Sequence, residues 1–231
     1  MVVSRRSSTT DKRSLPVPPL LLPLLIGGVS LAAFLGMPEE LLELPGGAEG
    51  LFWSRPWSLL SYAFVHRTPL HLLFSLVLLS AGLRLTRPLG GKALWALFLS
   101  GVVLGGVSYL ALSALAGSPG GNLVGASAGV CALMPVAVYR GMRSGRGIDS
   151  VLSLLLAAAA AGDALLFVLD GAPGFLSHIG GYLAGGAALG VILHRDRQSA
   201  LRERAKEETL RKARLSGVGA LSERERRLLL V

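Results

Sequence analysis

At 231 residues the chain is long enough for one soluble domain or one small membrane bundle. Charged residues make up 16% of it and apolar residues 52%, against roughly 25% charged in soluble domains, which excludes an ordinary soluble globule. A formal charge of +9 invites a nucleic-acid partner, but the basic residues gather around the apolar segments, and the single cysteine, Cys131, rules out an internal disulfide.

Residues 1–16 form a basic head carrying Arg5, Arg6, Lys12 and Arg13. A helix needs about 20 apolar residues, with about 17 as a practical minimum, to cross a ~30 Å hydrocarbon core. Six segments meet or approach that length: 17–37, 69–85, 93–116, 123–139, 151–169 and 175–193. The second and fourth are the shortest. Between the first two lies a longer connection, 38–58, followed by an apolar stretch at 59–65 that is expected to fold at the membrane surface. A basic head before an apolar stretch also resembles a signal peptide, with Ser30-Leu31-Ala32 as its cleavage site. The stretch exceeds the roughly 7–15 residues of a signal core, so a retained span is expected. Residues 195–231 form a basic tail with a capping-box pattern at Ser222 and Glu225.

Orientation follows from charge. With the N-terminus in the cytoplasm, the head, the connections after the second and fourth spans and the tail hold 21 of the 23 basic residues, leaving Arg55 and Arg67 outside. The predicted architecture is an all-α polytopic membrane helix bundle with six transmembrane helices. It divides into a cytoplasmic head (1–16), a six-span domain (17–194) and a cytoplasmic tail (195–231). It sits in the cell membrane with both termini cytoplasmic. A basic tail beside anionic lipid needs no nucleic acid to explain it.

Polar groups inside spans are costly and point to function. The second, fourth and sixth spans all run from outside to inside. His71 and Ser75 lie near the start of the second, Ser127 of the fourth and His178 of the sixth. At helical rise, His71, Ser127 and His178 fall in one layer roughly 5–8 Å below the outer boundary. A serine hydroxyl becomes a useful nucleophile when a neighbouring base takes its proton, and neutral histidine is the usual base. An acyl-transfer transition state also needs donors aimed at the developing oxyanion. The Ser127 N–H near a helix N-terminus and the His71 imidazole are candidates. Gly125 and Gly129 around Ser127, and Gly181 and Gly185 after His178, are small-xxx-small faces that permit close helix approach. Gly125-Ala-Ser127-Ala-Gly129 also fits the G-x-S-x-G nucleophile elbow. That motif requires a strand before it, and apolar helices surround it here.

The ordered blocks then resemble the rhomboid family. Trp57, Phe64, His66, His71 and Leu72 resemble its W-R…F-x-H-x(4)-H-L-x-x-N segment. Gly125-Ala126-Ser127 resembles its G-x-S-G motif, and His178, Gly181 and Gly185 its H-x-x-G-x-x-x-G stretch. The stretch from Leu215 to Arg226 also looks like a short appendix behind some bacterial members. The resemblance implies a cofactor-free, metal-free Ser–His protease that cuts transmembrane segments of other proteins within the lipid bilayer. Ser127 would be the nucleophile and His178 the general base. His71 and Ser75 would belong to the oxyanion hole, with His66 and Trp57 in the surrounding loop. Four positions depart from the pattern: Ser58 stands for Arg, Ser75 for Asn, Ala128 for Gly and Cys131 for an aromatic residue.

Asp163 in the fifth span has no expected role. Three readings stay open: it orients His178, it lies in a water cavity, or it is protonated at a helix contact. The family's dyad has no acid partner, so Asp163 falls outside the expected site. The competing functions are an inactive rhomboid-like protein that binds membrane clients, and a transporter or scaffold. The first would be signalled by loss of Ser127 or His178, and the second by charged or broken helices near the midplane.

Overall fold

Proline and glycine divide the chain into helices. The computed structural model describes residues 18–46, 54–115, 117, 121–170 and 174–230. The basic head lies outside them, as do residues 17 and 116 at the ends of two expected spans. Helix α1 (Leu21–Phe34) begins after Pro18 and Pro19 and ends before Gly36, whose φ of 103° no helix accepts. Helix α2 (Pro69–Thr86) starts with proline at its first position and Thr68 as its cap. The Thr68 hydroxyl accepts the His71 N–H at 3.2 Å, so the cap also places the histidine. Helices α3 (Gly91–Leu115), α4 (Ser127–Arg143), α5 (Gly147–Asp170) and α6 (Gly174–Ser216) follow, and α7 (Glu223–Leu230) closes the chain.

Among the described residues four stretches are long and apolar enough to cross a bilayer: Pro69–Leu89, Gly91–Leu115, Gly147–Leu165 and Gly174–Ser216. Helix α1, with 14 residues, reaches only about 21 Å. Helix α4 has 17 residues and begins four residues later than its apolar segment. The reason is local. Leu123 exchanges both backbone hydrogen bonds with Leu44, at 3.0 and 2.8 Å, and Gly125 has a φ of 113°. The segment before Ser127 is therefore a loop held by protein, a setting in which irregular backbone is tolerated at membrane depth. The chain is an all-α polytopic membrane bundle, with six spans as an approximate count.

Helix α4 is the centre of the bundle and packs on α2, α3, α5 and α6. Ten of its 17 residues are buried, so its surface is set by protein neighbours rather than by lipid. Around it, Tyr62 is fully buried and donates to the Val102 carbonyl at 2.7 Å, pinning the 59–65 stretch to α3. The Trp57 indole donates to the Leu41 carbonyl at 2.9 Å, and Ser61 to that of Leu42 at 2.8 Å. These bonds join the two described parts of the first connection. At the opposite end of the bundle Arg84 pairs with Asp149 at 3.2 Å, and the Tyr139 hydroxyl donates to Asp196 at 2.9 Å.

Helix α6 runs unbroken for 43 residues, from the sixth span into the tail. Helix α7 folds back on it, with Lys212 2.9 Å from Glu225. The capping box forms: Ser222 N–H donates to Glu225 at 2.7 Å and Glu225 N–H to the Ser222 hydroxyl at 3.3 Å. Lys212 and then the Ser222 N–H hold the Glu225 carboxyl down, to about 2.

Candidate active site

Ser127 is the first residue of α4, His71 the third of α2 and His178 the fifth of α6. The ends of the three helices meet. Ser127 Oγ lies 2.7 Å from His178 Nε2, between residues 51 positions apart. The other ring nitrogen, Nδ1, lies 2.7 Å from Asp163 Oδ2 and 2.9 Å from Oδ1. Tyr182, one turn below His178, donates to Asp163 Oδ2 at 3.3 Å. All four side chains line a cavity of about 270 Å³ that His71, Ser75 and Cys131 also line.

Glycine brings α6 to α4, though only one of the two expected glycine faces takes part. A Cβ at Gly181 would collide with the Ala128 carbonyl, and one at Gly185 would come 2.5 Å from that of Ala132. Opposite them α4 presents Ala128 and Ala132 rather than Gly125 and Gly129. Gly129 instead receives the Phe98 ring of α3. Gly180 sits against the α3 backbone at Leu104. Ala128, a departure from the family pattern, is accommodated where α3 has Gly105: a Cβ there would lie 2.5 Å from the Ala128 methyl.

Gly125 has a different task. Its positive φ suits glycine, and a Cβ would sit 2.7 Å from His71 Cε1. Its N–H donates to the Tyr62 carbonyl at 2.9 Å. Next to it the Ala126 N–H donates to His66 Nε2 at 3.3 Å. His66 Nδ1 is 3.0 Å from Ser30 Oγ, which donates to the Phe64 carbonyl at 3.0 Å. Burial, with His71 beside it, pushes His66 down to about 3. The neutral ring can donate from Nδ1 and accept at Nε2, as both partners require. The rings of His66 and His71 meet edge to face at 4.7 Å. The loop before Ser127 is therefore tied to the first connection and, through Ser30, to α1.

The sequence pointed to Ser127, His71, Ser75 and His178, and one cavity wall holds all four. It left Asp163 with three open roles, one of them orienting His178, gave Ser30 only as part of a signal cleavage site, and did not single out Tyr182. Asp163 was visible as a deep charge, and Tyr182 shares a helix face with His178 at i+4. The Cys131 thiol, Asp163 carboxylate and His178 ring nitrogen lie within 4.8 Å of one another, the one such group of three among the described residues. Two of its members are already hydrogen-bonded to each other.

The Rhomboid domain family matches residues 54–196, and no curated protein matches the chain. The match takes in well over half of the sequence and every residue of the cavity wall. The chain belongs to the rhomboid family of intramembrane proteases.

Proposed function

We propose that this protein is an intramembrane serine endopeptidase that cleaves transmembrane segments of other proteins, with Ser127 as nucleophile and His178 as general base. The observation that carries the reading is the 2.7 Å approach of Ser127 Oγ to His178 Nε2 on the wall of a cavity inside an apolar bundle. In the reaction His178 takes the hydroxyl proton as Oγ attacks the scissile carbonyl. The proton then passes to the leaving amine, and water releases the acyl group by the same route reversed. The oxyanion meets the Ser127 N–H at the positive end of α4, the His71 imidazole and the Ser75 hydroxyl. No cofactor or metal takes part in this scheme.

A second groove, of about 740 Å³, runs between α2 and α5 and is lined almost wholly by apolar side chains. It shares Phe74, Leu78 and Ala159 with the catalytic cavity, which supports a membrane-borne segment as substrate. The basic residues support a cell-membrane location with both termini in the cytoplasm.

Purified protein should cut a generic transmembrane substrate, and Ser127→Ala and His178→Ala should each abolish cleavage while the bundle stays folded. A serine-reactive phosphonate should label Ser127, with labelling dependent on His178. Cleavage that persists in the Ser127→Ala protein would sink the mechanism.

A further inference from the structure

We propose that Asp163 is the positioning residue of a Ser127–His178–Asp163 triad assembled across α4, α6 and α5; this rests on the protease reading above. Both carboxylate oxygens lie within hydrogen-bond distance of His178 Nδ1, and Ser127 Oγ occupies the other ring nitrogen. The His178 and Asp163 side chains are 17% and 24% exposed, so water competes weakly for either. Tyr182 donates to Oδ2 and holds the carboxylate from below.

The chemistry follows from what each atom can do. An ionised carboxylate only accepts, so Nδ1 carries the ring hydrogen and Nε2 offers its lone pair to the Ser127 hydroxyl. That is the one neutral tautomer able to act as base. As the Oγ–C bond forms, the carbonyl π pair moves to the oxygen and the hydroxyl proton to Nε2. The imidazolium so created faces the Asp163 charge at 2.7 Å. Collapse breaks the C–N bond and returns that proton to the amine. Asp163 keeps its own charge throughout, touching neither substrate nor reacting atom. The competing role is a plain interhelix tie in which a protonated Asp163 donates to Nδ1. That arrangement leaves the hydrogen on Nε2 and blocks the base.

The test compares the wild-type protein with Asp163→Asn and Asp163→Glu, reconstituted in lipid with one transmembrane substrate. The Asn amide can donate to Nδ1 and favours the wrong tautomer. The kcat should fall at least about a hundredfold while KM stays within about threefold, phosphonate labelling should slow in parallel, and Glu should recover more than Asn. If Asp163 served only as a tie between helices, substituting it would lower thermal stability and leave kcat alone. Wild-type cleavage with Asp163→Asn within about threefold of it overturns the Asp163 assignment and spares the protease reading. A wild-type protein that neither cleaves nor labels overturns both. Should the Asn variant not fold, the ¹⁵N spectrum of wild-type His178 decides: hydrogen on Nδ1 supports the triad, and hydrogen on Nε2 overturns it.

Discussion

His66 finds all of its partners only while it is neutral, because Nε2 must accept the Ala126 N–H. Its folded pKa of about 3 lies below the ordinary 6.5. Between those values the unfolded chain binds a proton that the folded chain refuses. The contribution to stability is therefore complete above about pH 6.5 and drains away as pH falls toward about 3. Thermal unfolding in detergent should show that decline, and His66→Gln should be less stable near neutrality but shallower across the acid window. Equal slopes in the two proteins would place the acid sensitivity elsewhere. His66 also shows what a sequence hides. An imidazole in an apolar neighbourhood stands out, as His71 and His178 did, because burying it is costly. Its bonds to Ser30 and Ala126, 36 and 60 positions away, have no local signature. For Asp163 the sequence left three roles open, and the contact with His178, 15 positions away, selects the first of them.

Helices were easier to read than their ends. The apolar segments foretold α2, α3, α5 and the first half of α6 closely, since hydropathy and length are properties of the segment alone. The start of α4 was not legible, because it depends on the bridge from Leu123 to Leu44, a contact between distant parts of the chain. Nor was the partner of each glycine. Gly125 and Gly129 carry the right spacing for a helix contact, yet one lies in a loop and the other faces α3. The α4–α6 contact itself makes a sharp prediction. Gly181→Ala sets a methyl against the Ala128 carbonyl, a backbone atom that cannot turn aside. The helices must part, and a shift on the order of 1 Å at a reacting pair costs up to about a hundredfold in rate. Gly186→Ala, five residues on and with open space around its Cβ position, should leave turnover within about twofold. Rates measured side by side check this, and equal losses in both variants would remove the special role of the Gly181 contact.

Across the whole molecule the longest element is α6. Its 43 residues span about 65 Å, roughly twice the hydrocarbon core, so its second half stands clear of the membrane. Arg84–Asp149 and Tyr139–Asp196 mark the end of the bundle from which it emerges. That end collects the basic residues of two connections and the tail, and on the proposed topology it faces the cytoplasm. Reporters fused at either terminus should both be active in the cytoplasm and silent outside. A C-terminal reporter active only outside would overturn the orientation.

Ser127, Asp163 and His178 arrive on three successive helices, α4, α5 and α6. During synthesis Ser127 enters the bilayer before His178, the base proposed for it, does. A chain halted after α5 would hold a serine no more reactive than any other alcohol. On the proposed mechanism the enzyme passes through its own assembly chemically silent, and the docking of α6 through Gly181 and Gly185 is the event that arms it.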